Sequence, residues 1–67
     1  MIHIAARSSA DLKAAIELLY SKKVLTDLSP QRQQNDLYIV VIRSKISKSE
    51  VQKIISKRFG QLVKVIS

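Results

Sequence analysis

The sequence feature that most constrains the fold is an apolar run from Leu37 to Ile42. Successive side chains of a strand point to opposite faces of a sheet. In this run the odd and the even positions are both apolar, so a strand formed here needs burial on both faces, as a central strand does. The run therefore predicts a sheet that is built around residues 37–42.

A helix and a closing strand follow this run. Ser47 and Glu50 have the spacing of a capping box, in which two side chains satisfy free N–H groups at the start of a helix. Gly60 stands where the end of a helix needs a residue in the left-handed helical conformation, at the C′ position. We predict a helix over 47–59 and a strand over 62–66. The helix carries one apolar stripe, which consists of Val51, Ile54, Ile55 and Phe59.

The first part of the chain predicts an earlier unit of the same kind. Residues 1–7 alternate between two faces, as a half-buried strand does. Ser8 or Ser9 supplies a helix N-cap, and an apolar stripe follows at helical spacing. A short strand over 24–28 comes next, and the polar run 29–36, which contains the one proline, predicts a hairpin loop. The stripe consists of Leu12, Ala15, Ile16 and Leu19.

These elements predict a single α+β domain over residues 1–67 with the order β-α-β-β-α-β. Short connections and right-handed crossovers make this order most simply a ferredoxin-like fold. We therefore expect a four-stranded antiparallel sheet with both helices on one face. The other face, the open sheet face, would be exposed to water.

Strand alternation predicts which side chains occupy the open sheet face. The helices are expected to pack on alternating apolar positions of the first and last strands: Ile2, Ile4, Val63 and Val65. The opposite positions of these strands then form the open sheet face: His3, Ala5, Arg7, Leu62 and Lys64. The third strand adds either Tyr38, Val40 and Ile42 or the neighbours of these residues. An apolar centre with a basic rim is typical of an interaction surface.

The distribution of charge indicates an anionic partner. The net charge is +7 and the sequence pI is ≈ 10.2. From Arg43 onward, seven basic residues stand against one acid, Glu50, whereas residues 1–42 hold five basic and four acidic residues. Such a positive half attracts nucleic acid, an anionic membrane surface or an acidic protein surface. The simplest alternative is that lysine keeps a small domain soluble.

The sequence offers no constellation of residues for catalysis or cofactor binding. It has no cysteine and a single histidine, His3, which makes a metal site or an activated nucleophile unexpected. Its carboxylates are dispersed along the chain, and this argues against an acid–base pair. One glycine is too few for a Gly-rich phosphate loop. We therefore predict a protein that is not an enzyme and binds no cofactor or metal ion.

The sequence also predicts where the protein resides. No apolar run reaches the roughly 18 residues that a membrane span needs. The first seven residues lack the charged region and the long apolar region of a secretory signal peptide. A cytoplasmic protein without a membrane span is therefore expected.

Nucleic-acid binding is the alternative function, because the same order of elements underlies the RNA-recognition motif. That module stacks bases on aromatic residues of its two central strands. Here those strands offer only His3 and Tyr38, and the glycine–aromatic pattern of the motif is missing. A basic face of the second helix, with Lys48, Lys53 and Lys57, can still hold the phosphates of RNA or DNA without reading bases.

A family resemblance is carried by two segments, Glu50-Val51-Gln52-Lys53-Ile54 and Gly60-Gln61-Leu62-Val63-Lys64-Val65. Residues 50–65 resemble the C-terminal part of the small phycobilisome linker (CpcD-like) domain, in which a Glu-x-Gln-basic-Ile helix precedes a Gly-basic-Ile-Val strand. This chain lacks the paired glycines and the proline of that pattern. Members are small basic proteins that sit in the central cavity of phycobiliprotein discs. The resemblance therefore implies that Gln52 and Lys53 belong to a partner surface.

We expect the chain to act as a non-catalytic protein-binding adaptor or regulatory module with an acidic protein partner. Contact would use the open sheet face and the basic second half of the chain. A homodimer through the sheet face or an edge strand is an alternative, and the polar segment 29–36 is an alternative recognition element. The residues predicted to bind the partner are Arg7, Tyr38, Arg43, Lys45, Lys53, Lys57 and Lys64.

Overall fold

The computed structural model describes all residues, 1–67, and contains two helices and one antiparallel sheet of five strands. The elements are β1 (Ile2–Ala6), α1 (Ser9–Ser21), β2 (Leu25–Leu28), β3 (Arg32–Gln34), β4 (Leu37–Ser44), α2 (Lys48–Phe59) and β5 (Val63–Val65). The predicted α+β class and antiparallel sheet are confirmed. Neither helix combines the length and the apolar character that crossing a membrane would require.

β4 is an inner strand of the sheet, as its apolar sequence predicts. The strand order is β2-β4-β1-β5, and β3 also pairs with β4. β1 lies antiparallel to β4, with Ile4 opposite Val40 and Ala5 opposite Ile39. On its other edge β1 pairs with β5, where Ala5 is opposite Lys64. Both inner strands therefore have neighbours along both edges.

The hydrophobic core fills the space between one face of the sheet and the two helices. Ser8 caps α1 by accepting a hydrogen bond from the Asp11 N–H at 3.1 Å, and Ser47 caps α2 through the Glu50 N–H at 3.3 Å. Both N-caps are confirmed, and each satisfies one N–H that the helix itself leaves free. Of the predicted capping box only the Ser47 half forms, because the Glu50 carboxylate accepts from Ser47 Oγ at 3.5 Å instead of from the Ser47 N–H. The core cluster contains Ile2, Ile4, Ala6, Leu12, Ala15, Leu19, Val40, Ile42, Val51, Ile55 and Val63.

α2 ends at Gly60, whose φ of 60° is positive as predicted, but Gly60 is not in the predicted left-handed helical conformation. Its ψ is −123°, and glycine reaches this region because it has no Cβ atom. The Gly60 N–H donates to the Ser56 carbonyl at 2.9 Å, and the Leu62 N–H donates to the Phe59 carbonyl at 3.1 Å. The chain thereby leaves the helix and returns to the sheet as β5.

The segment 29–36, which the sequence predicts to be a hairpin loop, contains β3 instead. Asn35 and Asp36 form the turn to β4 with positive φ angles of 51° and 65°. Two successive positive angles match the twist of two antiparallel strands. The turn therefore leaves Arg32–Gln34 free to pair, with Arg32 opposite Ile39. The sheet has five strands rather than the predicted four.

This turn provides a test of β3. Glycine adopts a positive φ without the steric cost that a Cβ atom imposes. We predict that the free energy of unfolding is about 1 kcal/mol higher for Asp36→Gly than for Asp36→Ala, as measured by urea denaturation. Equal stabilities of the two variants would contradict the turn geometry.

Candidate partner-binding face of the sheet

The open sheet face is the side turned away from both helices, and it carries the odd-numbered residues of β1 and β4. One row of paired positions crosses it in the order Lys64, Ala5, Ile39 and Arg32. Neighbouring strands in such a row lie about 4.8 Å apart. The two central apolar side chains, Ala5 and Ile39, therefore lie between two cations, Lys64 and Arg32. The open sheet face has Ala5, Leu37, Ile39 and Val41 at its centre, and around them lie Arg7, Arg32, Arg43, Leu62, Lys64 and Ile66.

The centre of the open sheet face is shielded, although both helices pack on the opposite side. Ala5 is 4% exposed and Ile39 is 6% exposed, yet neither belongs to the core cluster under the helices. Their shielding therefore comes from neighbouring side chains of the same face. Lysine and arginine can lay their aliphatic stems over apolar surface, and Lys64 and Arg32 are in position to do so. The apolar area that a partner can reach at the centre of this face is therefore smaller than the sequence predicts.

The accessible apolar surface lies beside β5. Leu62 is 62% exposed and Ile66 is 49% exposed, so both present apolar surface to solvent. They border a depression of ≈ 490 Å³ that Ala5 and Leu37 also line. Ala6 and Asp11 line it as well, so the depression lies at the edge of the open sheet face, between the end of β1, the start of α1 and β5. A partner side chain can enter there.

Two predicted cations border the same depression. Arg7 and Lys64 are exposed and line it together with one acid, Asp11. Asp11 lies in the first turn of α1, where the helix dipole favours a negative charge. None of the side-chain hydrogen bonds of the structure involves a lysine or an arginine. Arg7 and Lys64 therefore have their donors available for a partner.

Arg43 and Lys45 lie towards the other end of the sheet. Arg43 is exposed on the open sheet face, opposite Asp27 of β2. Lys45 follows β4 in the turn that leads to α2, and its backbone N–H donates to the Val24 carbonyl at 2.7 Å. A strand rises about 3.3 Å per residue, so Arg43 is about 13 Å from Ile39 along β4. A partner that occupies the depression beside β5 also contacts Arg43 only if it extends across the sheet.

Tyr38, which the sequence predicts as a partner-binding residue, lies on the side of the helices. It pairs with Ala6 of β1 and Gln33 of β3 and packs against the core cluster. The run 37–42 is apolar at odd and even positions, so alternation alone does not decide which set faces the helices. The pairing with β1 decides it and gives the open sheet face the neighbouring set, Leu37, Ile39 and Val41.

Lys53 and Lys57 belong to a different surface, the groove between α1 and α2. This groove has a volume of ≈ 450 Å³. Its cations are Lys22, Lys53, Lys57 and Arg58, and its other lining residues are Leu18 and Ile54. Lys48, the third lysine of the predicted basic helix face, is not among the lining residues. The structure thus places Arg7, Arg43 and Lys64 on the open sheet face, and Lys53 and Lys57 on the opposite side of the sheet.

Three cations near these surfaces escape the sequence prediction. Arg32 reaches the open sheet face because it lies in β3, and the pair Asn35–Asp36 is the sequence signal that could have indicated this hairpin. Lys22 and Arg58 line the groove between the helices. Their proximity depends on how two helices pack, which spacing along the chain does not encode.

The open sheet face carries the only histidine of the chain, His3. His3 Nδ1 lies 2.7 Å from Ser67 Oγ, but no carboxylate is hydrogen-bonded to the ring to orient it as a catalytic base. No group of three or more His, Cys, Asp or Glu residues is placed to hold a metal ion. The groups that face solvent are aliphatic side chains and cations, which can bury apolar surface and attract anions.

Comparisons with models of protein families, with curated proteins and with solved structures give no match. The resemblance of residues 50–65 to the small phycobilisome linker (CpcD-like) domain stays a prediction. In the structure these residues lie in α2, the Gly60 turn and β5. The functional proposals below therefore rest on geometry and charge.

The open sheet face predicts contrasting effects of two leucine substitutions. Leu12 is 1% exposed in the core, whereas Leu62 is 62% exposed. Leu12→Ala should lower the free energy of unfolding by about 2–5 kcal/mol. Leu62→Ala should change it by less than about 0.5 kcal/mol. Urea denaturation measures both, and a loss above about 1 kcal/mol for Leu62→Ala would mean that this side chain is buried in solution.

Proposed function

We propose that the protein is a non-catalytic binding module, of the adaptor or regulatory kind, that holds an acidic segment of a partner protein on the open sheet face. The observation that carries this proposal is the depression beside β5. There the exposed Leu62 and Ile66 stand next to Arg7 and Lys64. Apolar contacts surrounded by a polar rim are the usual composition of a protein interface.

The charge of the open sheet face supports an acidic partner. Its cations are all exposed and comprise Arg7, Arg32, Arg43 and Lys64. The acids beside them are Asp11 and Asp27. The net charge of +7 extends this field over the whole chain. Complementary potentials speed the encounter of two proteins and fix their orientation, so the basic second half would steer an acidic segment towards this face.

Leu62 and Ile66 would supply binding free energy that exposed charges do not. Transfer of one aliphatic side chain out of water contributes about 1.5–3 kcal/mol. A few buried anchors within a polar rim carry most of the binding free energy of measured interfaces. A partner segment that places an apolar residue between two acidic residues fits the depression, because Arg7 and Lys64 both line it.

The same charges oppose a homodimer through the open sheet face. A twofold dimer brings identical patches together, which would set Arg7 and Lys64 of one copy against the cations of the other. Strand addition at the sheet edges is also poorly supported. β5 has only three residues, and Pro30 interrupts the opposite edge between β2 and β3 with a position that has no N–H. A partner of different chemistry is the better occupant.

We propose further that the architecture is ferredoxin-like, with β2 and β3 as two parts of one interrupted edge strand. Both pair antiparallel with β4. Ser29 continues the pairing between them, because its N–H donates to the Val41 carbonyl at 2.9 Å and its Oγ accepts from the Val41 N–H at 3.0 Å. If β2 and β3 count as one strand, the order of elements is the β-α-β-β-α-β order of that fold.

A synthetic peptide with two leucines flanked by glutamates tests the proposed function. We predict that it binds the protein and that Leu62→Gln weakens the affinity about tenfold, because the variant loses an apolar anchor at the centre of the contact. Isothermal titration calorimetry measures both dissociation constants. Replacement of an exposed side chain by glutamine leaves the fold intact.

Tyr20→Gln is the matched control, because Tyr20 is 63% exposed and lies on α1, away from the open sheet face. This variant should bind the peptide with unchanged affinity. Equal losses in Tyr20→Gln and Leu62→Gln would indicate nonspecific apolar contact. Either that result or an absence of peptide binding would contradict the proposed function.

A further inference from the structure

The groove between α1 and α2 is a second cationic surface, and the proposed function does not use it. Four of its six lining residues are cations: Lys22, Lys53, Lys57 and Arg58. The other two, Leu18 and Ile54, are apolar and half-buried. No acid lines the groove. Its volume of ≈ 450 Å³ is within the range of about 300–1,000 Å³ that is common for ligand sites.

The helix dipoles explain only part of this cluster. Lys57 and Arg58 lie in the last turn of α2, and Lys22 directly follows α1, where a cation interacts favourably with free carbonyl groups. Lys53 lies before the last turn of α2, and the dipole effect does not extend that far. The dipoles also give no reason for cations of two helices to border one groove. Their mutual repulsion is relieved when an anion binds between them.

The groove is suited to concentrate a positive potential. A cleft that has charges of one sign and walls of low dielectric focuses the electric field. Leu18 and Ile54 provide apolar surface between the cations. The cations themselves take part in none of the side-chain hydrogen bonds of the structure. Their donors are therefore available to an anion with several charges.

We propose that this groove binds a single strand of nucleic acid through its phosphates. Every nucleotide carries a negative charge, so consecutive phosphates meet the cations of both helices wherever the strand begins. An acidic peptide would need an unbroken run of carboxylates to do the same. The lining residues include no aromatic or amide side chain that could stack on a base or read its edge. Contacts to phosphates carry no sequence information, so binding that uses only them is independent of base sequence.

The salt dependence of binding to a fluorescein-labelled oligothymidylate tests this site. Each phosphate contact to a single strand contributes about −0.7 to the slope of log K against log salt concentration. Four contacts give a slope of about −2.8, and Lys53→Gln/Lys57→Gln should reduce it to about −1.4. Fluorescence anisotropy over a range of sodium chloride concentrations measures both slopes. The charge-conserving variant Lys53→Arg/Lys57→Arg should retain the wild-type slope.

Lys13→Gln/Lys48→Gln is the matched control. It removes the same charge from exposed positions of the same two helices, outside the groove, and should keep the slope near about −2.8. Equal effects of the two glutamine variants would mean that net charge rather than the groove attracts the strand. A polyglutamate peptide that binds at least as tightly, and with the same dependence on Lys53 and Lys57, would assign the groove to an acidic polypeptide. Either result overturns the proposal.

Discussion

The antiparallel pairing of β1 with β4 is the constraint that separates the open sheet face from the face that the helices cover. Ile4 lies opposite Val40 and Ala5 lies opposite Ile39, so each pair sends its side chains to one face of the sheet. A shift of one residue would turn every side chain of a strand to the other face and would expose Ile4, which is fully buried. The helices cover one face only, and the other is left to Ala5, Ile39 and the cations beside them.

Local patterns were sufficient to predict the elements that build this sheet. The alternation of residues 1–7 and the caps at Ser8 and Ser47 depend on neighbours a few positions apart, and the structure confirms them. The same alternation predicted that Arg7 and Lys64 share the open sheet face, and both line its depression. Periodicity is informative here because, in both strands, one set of alternating positions is wholly apolar and the basic residues all lie in the other set.

Features that depend on contacts between distant segments could not be predicted in this way. Tyr38 lies in a run that is apolar on both faces, so only its pairing with Ala6 places it towards the helices. Arg32 lies in a polar segment without alternation, and it becomes part of a strand because the following turn folds that segment back onto β4. Lys22 and Arg58 line one groove because α1 and α2 pack side by side. The sequence of either helix alone does not indicate this packing.

The sheet thus separates an apolar, cation-bordered face from a cationic groove. The net charge of +7 favours the approach of an anionic partner to either surface. Relaxation of methyl signals by a soluble paramagnetic gadolinium chelate tests most directly whether the open sheet face is uncovered in solution. The methyl groups of Leu62 and Ile66, which are exposed, should relax strongly, whereas those of Ile4 and Leu19, which are fully buried, should be protected. Protection of Leu62 and Ile66 as complete as that of Ile4 would mean that this face is covered, and it would contradict the proposed binding surface.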